Sequence, residues 1–304
     1  MEGKLKGMLI CHALGDALGA PHEFKHSNAY TGTLSHDIKK FNRFTKTWSI
    51  TPFGSVTDDT LMTFALIDSI IKEKKYDVDE TILSYELFAN SCGMLGKNTR
   101  ALFKGVKTVR GYRNRYEKIF SQPMEEWSQS NGSLMRCSPF VIFSSTDDLV
   151  KDIKLSNPHS INTECGIIYH YILRHLLIKS ELPSIDELIK MAKEKSVLDC
   201  LNDVKDKKER DISSKSIKGW VVTALYSSLY CIYHVNDITE AYKYIIEKGG
   251  DTDTNAAIMG ALFGAKIGYT ELHRKQNHNI EILFRVNGLF DNIDDVVSNL
   301  ATLM

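Results

Sequence analysis

Two short clusters of carboxylates and hydroxyls are the segments best suited to carry chemistry. Residues 55–60 read SVTDDT and residues 249–255 read GGDTDTN. Every ligand candidate in them is an oxygen, with no matched histidine or cysteine, and hard oxygen ligands select Mg²⁺, Mn²⁺ or Ca²⁺ over zinc or copper. Adjacent carboxylates repel each other, so a partly buried pair needs a compensating cation to stay ionised. Two clusters of this kind can face each other and hold two metal ions about 3.5–4 Å apart.

Each cluster by itself is also typical of an ordinary helix start. Thr57 is placed as the N-cap of a helix that begins with Asp58 and Asp59. Thr252 or Asp253 can cap the helix that follows the second cluster. The second cluster does not have the spacing of an EF-hand loop. The presence of both clusters in one chain favours a metal site over this simpler interpretation.

Two further segments carry candidate residues. Residues 12–23 predict a helix that ends at a proline and presents Glu23 on a loop. His12 and Asp16 lie four residues apart, so they could form a buried pair or bind a metal. Residues 131–139 read NGSLMRCSP and predict a tight turn whose amide, hydroxyl and backbone N–H groups suit a sugar or phosphate pocket. By itself this segment predicts only a turn.

The elements that must position these residues are predicted to be almost entirely helical. Apolar residues recur at spacings of three and four in six segments, namely 61–71, 82–89, 161–178, 185–192, 221–233 and 238–246. Alternating strand patterns are scarce, and only Asn131 with Gly132 resembles a hairpin turn. Residues 26–55 are predicted to be an exposed connection, because few of their apolar positions are periodic. Residues 202–218 form a dense run of charged residues and are predicted to be a solvated loop or helix face.

The helix after the second cluster has an unusual run of small residues. Ala256, Gly260, Gly264 and Gly268 recur every four residues and so share one face. Small residues allow neighbouring backbones to approach closely. The pattern predicts a central helix, enclosed by others, that fixes the acidic residues at its N-terminus.

The composition indicates one globular domain without a dominant charge. Of 304 residues, 43% are hydrophobic and 25% are charged, which excludes a disordered or fibrous protein. Lys plus Arg and Asp plus Glu both number 38, so the formal net charge is zero and no overall basic field attracts nucleic acid or membrane. We expect a single domain over residues 1–304, no nucleic-acid or membrane partner, and a monomer, since no exposed apolar stripe is evident.

The cysteines and the N-terminal segment bear on the compartment. The six cysteines are scattered and form no CxxC pair, which is typical of reduced thiols in a cytosolic protein. Residues 1–20 do not have the pattern of a signal peptide. Residues 220–235 are the most apolar run, and they predict a buried helix rather than a membrane span. The expected location is cytoplasmic.

Four motifs, taken in order, resemble those of the ADP-ribosylglycohydrolases. They are GDALGAPHE at 15–23, TDDT at 57–60, NGSLMR at 131–136 and GGDTDTNAA at 249–257. The resemblance runs from about residue 5 to about residue 270. It implies an all-α fold, a single compact orthogonal multi-helix bundle, with a binuclear Mg²⁺ or Mn²⁺ site. It also implies a hydrolase that removes ADP-ribose from a mono-ADP-ribosylated protein, with arginine the best guess for the modified side chain.

The resemblance assigns roles to individual residues. The implied metal ligands are Thr57, Asp58, Asp59, Asp251, Asp253 and Thr254, with Asp253 bridging the two ions. The implied substrate contacts are Gly96, Asn98, Asn131, Gly132, Ser133, Met135 and His159. Glu23 and Asp58 are the implied catalytic carboxylates. His159, in the sequence SNPH, is equally compatible with an ordinary loop histidine.

Two other functions use the same residue types. A metal-dependent nucleotide or phosphoester hydrolase could be built on the same oxygen ligands, and it would release phosphate instead of cleaving at ribose C1. A non-catalytic member of the family would bind ADP-ribose without turnover. The second alternative is disfavoured because every expected metal position keeps an oxygen ligand.

Overall fold

Helices make up most of the regular structure. The computed structural model of the chain describes residues 1–24, 30–42, 47–91, 95–214 and 217–304. The α-helices in these ranges are α1 (Glu2–Gly19), α2 (Asp58–Glu73), α3 (Val78–Ser91), α4 (Lys97–Phe103), α5 (Val109–Ile119), α6 (Asp147–Lys154), α7 (Ser160–Arg174), α8 (Ile185–Met191), α9 (Lys195–Lys205), α10 (Val221–His234), α11 (Ile238–Lys248), α12 (Thr252–Val286) and α13 (Ile293–Ala301).

The six segments predicted from apolar periodicity are all helical. They fall in α2, α3, α7, α8, α10 and α11. The predicted segment 161–178 runs beyond α7 into a π-helical turn at His175–Lys179. Short 3₁₀ turns follow α1 at Ala20–His22 and form the Asn131–Ser133 segment. The expected all-α fold class is confirmed.

One hairpin adds to the helices. Strands β1 (Ile38–Asn42) and β2 (Thr47–Thr51) pair antiparallel, with Ile38 opposite Thr51. The prediction that residues 26–55 form only an exposed connection was wrong at these strands. β1 reads IKKFN, so its apolar residues do not alternate and give no strand signal. The Asn131–Ser133 segment, which resembled a hairpin turn, is helical instead.

Helices α1 and α12 form the centre of the fold. Residues 7–19 of α1 and residues 252–265 of α12 are all buried. The two backbones touch: a Cβ added at Gly15 would lie 2.2 Å from the Ala256 carbonyl oxygen, and one added at Gly264 would lie 2.1 Å from the Gly7 carbonyl oxygen. The predicted central helix is therefore confirmed. Its small-residue face ends at Gly268, where the backbone turns to φ +72° and interrupts α12.

The remaining sequence expectations concern membranes and thiols. Within the described ranges, every helix falls short of the length and apolar character that a membrane span requires. Five cysteines are buried and free, namely Cys11, Cys137, Cys165, Cys200 and Cys231. Cys92 lies outside the described residues.

Candidate active site

Asp16 on α1 fixes the start of α2. Its Oδ2 accepts hydrogen bonds from the backbone N–H groups of Thr57 (2.9 Å) and Thr60 (3.2 Å) and from the Thr60 hydroxyl (2.6 Å). The Thr57 hydroxyl donates to Asp16 Oδ1 (2.8 Å) and to Asp59 Oδ2 (3.1 Å). Thr57 is the N-cap residue of α2, as predicted, but its side chain makes no capping hydrogen bond, and the Asp16 carboxylate from α1 accepts from the N–H groups there instead. His12 and Asp16 are both buried, but the hydrogen bonds that Asp16 accepts come from Thr57 and Thr60 at the start of α2.

A glycine turn sets the start of α12. Gly249 and Gly250 have φ +78° and +84°, and a Cβ at Gly250 would lie 2.4 Å from the Ile212 carbonyl oxygen. The Thr252 hydroxyl donates to the Gly19 carbonyl (2.8 Å), which ties this turn to the end of α1. Neither Thr252 nor Asp253 caps the helix as predicted, because Thr252 is already its first residue. The turn leaves the side chains of the second cluster free of a capping role.

Both clusters open onto one cavity of about 790 Å³. The cavity is lined by most of the residues that the sequence singled out: Glu23, Asp58, Asp59, Gly96, Asn98, Asn131, Gly132, Met135, Asp251, Asp253 and Thr254. The acidic residues of α2 and of the turn before α12 thus converge across almost 200 positions of sequence.

The carboxylates form two overlapping groups. Asp16, Asp59 and Asp253 each place an oxygen within 4.8 Å of the other two. Glu23, Asp251 and Asp253 do the same. Asp253 belongs to both groups, so one side chain joins the two halves of the cluster. Asp16 was not among the ligands implied by the resemblance.

Burial makes the charged forms of these acids unfavourable. It raises the pKa of Asp59 well above its usual range, and the nearby charge of Asp16 raises it further. Burial also raises the pKa of Asp253, and the charges of Glu23 and Asp251 add to the effect. The pKa of Asp16 is raised by burial to about 6, although its four hydrogen bonds favour the charged form. A nearby cation would reverse these shifts.

The donor set fits a hard divalent cation. Asp59 Oδ1 is buried and has no hydrogen-bond partner among the residues that the structure describes. An unpaired buried carboxylate oxygen is costly, and coordination would satisfy it. Asp58 Oδ2 accepts from the Gly96 N–H (2.9 Å), and Asp251 Oδ2 accepts from the Asn131 amide (2.9 Å), so both carboxylates are held in place. All of these donors are oxygens, which suits Mg²⁺ or Mn²⁺.

The turn at 131–133 forms the cavity wall beside the acids. The Asn131 N–H donates to the Gly219 carbonyl (2.9 Å), which fixes the turn against the start of α10. Arg136 reaches back and donates from Nη1 to the Gly132 carbonyl (2.6 Å). Asn98, which also lines the cavity, donates to the Ser156 carbonyl (2.5 Å). Polar contacts to backbone thus set the shape of this wall.

Three of the implied site residues are not among those that line the cavity. Thr57 is held by Asp16, as described above. Ser133 is fully buried and lies 3.3 Å from the Asn162 amide nitrogen. His159 is the N-cap of α7, because its Nδ1 accepts from the Ile161 N–H (3.2 Å). The contacts of Ser133 and His159 therefore lie with the scaffold behind the wall.

Sequence reasoning missed several lining residues, among them Phe24, Phe120, Gln122, Lys218 and Gly219. Phe24 directly follows the predicted Glu23, so its position was a usable signal. Lys218 is the last residue of the charged segment 202–218, which was predicted to be solvated, and Gly219 directly follows it. Only the fold brings this segment to Asp251. A Cβ added at Gly219 would lie 3.3 Å from Asp251 Oδ2.

A family model described as ADP-ribosylglycohydrolase matches residues 1–304. The chain belongs to this family. This membership confirms the resemblance seen in the motifs, and it makes the protein a hydrolase of glycosyl bonds that acts on ADP-ribosylated substrates.

Relatives of known name support the assignment at low identity. The ADP-ribosyl-[dinitrogen reductase] glycohydrolase of Rhodospirillum rubrum is 23% identical over 282 residues, covering 88% of this chain and 86% of its own. The ADP-ribosylarginine hydrolase Tri1 of Serratia proteamaculans is 24% identical, covering 88% and 73%. The ADP-ribosylhydrolase ARH3 of Mus musculus is 25% identical, covering 91% and 87%.

A solved structure shares the fold. A chain of an ADP-ribosylglycohydrolase-related protein complex superposes with a TM-score of 0.71 at 18% identity and covers 99% of this chain and 98% of its own. The likeness in fold therefore extends beyond the four motifs of this ADP-ribosylglycohydrolase.

Proposed function

We propose that this ADP-ribosylglycohydrolase removes ADP-ribose from a mono-ADP-ribosylated protein side chain, preferring arginine, with the help of two Mg²⁺ ions. The observation that carries the proposal is the convergence of five carboxylates on one cavity beside the 131–133 turn. They are Glu23, Asp58, Asp59, Asp251 and Asp253. Mn²⁺ would suit the same oxygen ligands. Arginine is favoured because Tri1, one of the relatives, is named for it.

The proposed ligands of the two ions are Thr57, Asp58, Asp59, Asp251, Asp253 and Thr254. Bound ions of this type orient the ribose hydroxyls and a water molecule and lower the pKa of that water. Asp253 is the proposed bridge, and its membership of both carboxylate groups supports this role. Asp16 supports the site from behind, because its own oxygens are engaged by Thr57 and Thr60.

The chain's own groups supply the acid and base. The bond between ribose C1 and the side-chain nitrogen breaks through an oxocarbenium-like state, and the water oxygen bonds to C1. Glu23 or Asp58 takes the proton of that water, and a proton passes to the leaving nitrogen, as paired carboxylates allow in glycoside hydrolysis. Asp58 is oriented for this by the Gly96 N–H. The products are free ADP-ribose and an unmodified side chain.

The cavity walls are proposed to hold the ADP-ribose. Gly132, Met135, Gly96 and Asn98 all line the cavity, and a Cβ on Gly132 would lie 3.9 Å from the Thr99 hydroxyl, so the two segments meet in one wall. Backbone N–H groups in a tight turn suit the diphosphate. The resemblance also implied Ser133 and His159 as contacts. Because they lie behind this wall, we propose that they act by supporting the residues that line it.

The test is to incubate the protein with substrates ADP-ribosylated separately on arginine and on serine, with Mg²⁺ or with EDTA. We expect free ADP-ribose from the arginine substrate with Mg²⁺ only. Asp58→Asn and Asp253→Asn should abolish release, whereas Asp295→Asn, an exposed acid on α13, should not. Release of phosphate would indicate a phosphoester hydrolase instead, and undiminished turnover by either site variant in EDTA would contradict the two-metal proposal.

A further inference from the structure

Two pairs of cavity-lining residues differ in chemistry. Leu95 and Phe120, which flank α4 and α5, offer apolar surface for a nucleotide base. Phe24 and Lys218 also line the cavity, and the hydrogen bond from the Phe24 N–H to the Gly250 carbonyl places Phe24 beside the second acidic cluster. A nucleotide held by Leu95 and Phe120 leaves Phe24 and Lys218 for the modified side chain of the substrate.

The backbone of Phe24 places its ring beside the second acidic cluster. Phe24 has φ +55°, a conformation in the left-handed region that is strained for a bulky residue. Its N–H donates to the Gly250 carbonyl (2.8 Å), directly before Asp251. Nevertheless 48% of the side chain remains exposed. A strained backbone that presents an exposed aromatic ring beside a carboxylate cluster is an arrangement that packing alone does not require.

The ring face already carries a cation. The Lys218 ammonium nitrogen lies 4.3 Å from the centroid of the Phe24 ring. Both side chains are at the surface, so this contact is weak and can be exchanged. A guanidinium is planar and less strongly hydrated than an ammonium, and it stacks on aromatic faces better. The ring therefore offers a place that an arginine side chain can take from Lys218.

We propose that the Phe24 ring face receives the guanidinium of the ADP-ribosylated arginine, and that Lys218 occupies this face until the substrate displaces it. The inference rests on the proposed function and specifies its acceptor. Glu23 directly precedes Phe24, lines the same cavity and is not one of the proposed metal ligands, so its negative charge adds to the preference for a cationic acceptor. A serine acceptor has neither the plane nor the charge that this site recognises.

The experiment compares kcat/KM of variants on substrates ADP-ribosylated on arginine and on serine, at saturating Mg²⁺. Phe24→Leu should lower kcat/KM for the arginine substrate about three- to thirty-fold, the range of a cation–π contact, and should leave the serine substrate unaffected. Phe24→Tyr keeps the ring and should restore the arginine-to-serine ratio. Lys218→Met removes the competing cation, so the ratio of the arginine KM to the serine KM should fall.

Two controls separate this inference from other causes. Phe53→Leu makes the same substitution at an exposed phenylalanine outside the cavity and should change neither substrate. Inhibition by free ADP-ribose, which carries no guanidinium, should be unchanged in Phe24→Leu. Equal losses on both substrates, or no loss, would overturn the inference. Wild-type turnover of serine substrate alone would overturn arginine recognition while ADP-ribose removal stands, and turnover of neither would contradict the proposed function itself.

Discussion

Arg136 links the cavity wall to the interior. Its side chain is fully buried and forms an ion pair with Asp152 at 3.0 Å. It also donates to the Gly132 carbonyl and to the Ser156 hydroxyl (2.9 Å). Ser156 in turn donates to Asn157, whose amide holds the segment before the 131–133 turn. One buried guanidinium thus organises both the ion pair and the shape of the wall.

Arg136→Met should lower the free energy of unfolding by about 3–5 kcal/mol, because it leaves the Asp152 carboxylate buried and unpaired. Urea unfolding measures this loss. Arg113→Met breaks a pair of similar length with Asp79 (2.7 Å), but both side chains there are more than half exposed. It should cost at most about 1 kcal/mol. Comparable losses from the two variants would contradict the special role of the buried pair.

Sequence reasoning reached most of the site residues but not their supports. The clusters containing Asp58, Asp59, Asp251 and Asp253 were visible because acidic and hydroxyl residues adjoin in both, and because the two occur together with the other motifs in one chain. The role of Asp16 was not visible, since its partners Thr57 and Thr60 lie more than 40 positions away and only the packing of α1 on α2 brings them together. Thr57 was correctly predicted as the N-cap residue, but the oxygen that accepts from the N–H groups of Thr57 and Thr60 belongs to Asp16 and not to the Thr57 side chain.

At the scale of elements, the contact between α1 and α12 positions the two acidic groups relative to each other. Asp16 projects from α1 and Asp253 lies in the first turn of α12. Between the helices, glycine permits backbone contact at Gly15 and Gly264. The distance between the helices therefore controls the distance between carboxylates.

Gly15→Ala tests this contact. The added Cβ would meet the Ala256 carbonyl oxygen at 2.2 Å, so the two helices must move apart. We expect a loss of about 1–3 kcal/mol in unfolding free energy, or more, together with weaker Mg²⁺ binding. Gly3→Ala, on the same helix but with open space around its Cβ, should be neutral or slightly stabilising. Urea unfolding and Mg²⁺ titration measure both variants, and equal stability of the two would contradict the close packing.

Periodicity predicted the helices because each buries one apolar face. The small residues at 256–264 predicted the central helix because they allow a neighbouring backbone to approach closely. The hairpin was missed because residues 38–42 lack alternation, although residues 47–51 read TWSIT and their alternation was a usable strand signal. Phe24 and Lys218 show a similar limit. Their contact joins a loop after α1 to a segment before α10, and neither segment has a local pattern that indicates it.

For the whole molecule, the proposed ligands join the first and last parts of the chain. Ion binding should therefore stabilise the entire fold, provided that residues 1–304 behave as the single domain predicted from the composition. Coincident thermal transitions in tryptophan fluorescence and far-UV circular dichroism would support one domain. Separate transitions would indicate two, and light scattering would test the predicted monomer.

Mg²⁺ should raise the thermal midpoint, and EDTA should reverse the effect. At an ion concentration a hundred times the Kd, binding adds about 2.7 kcal/mol, which corresponds to roughly 4 °C for a chain of this size. The raised pKa values of Asp59 and Asp253 mean that these acids bind more protons in the folded chain than in the unfolded chain. Without the ion, their contribution to stability is therefore lost as pH rises above about 4, so the shift produced by Mg²⁺ should grow with pH.

A comparison of two acid-to-amide variants isolates the site in this measurement. Asp253→Asn removes a buried charge, so in EDTA at pH 7.5 it should be at least as stable as the wild type, but it should gain nothing from Mg²⁺. Asp295→Asn removes an exposed charge on α13 and should respond to Mg²⁺ as the wild type does. The order of stability of wild type and Asp253→Asn should then reverse when Mg²⁺ is added. An unchanged order would mean that the carboxylates are retained for some purpose other than holding a cation.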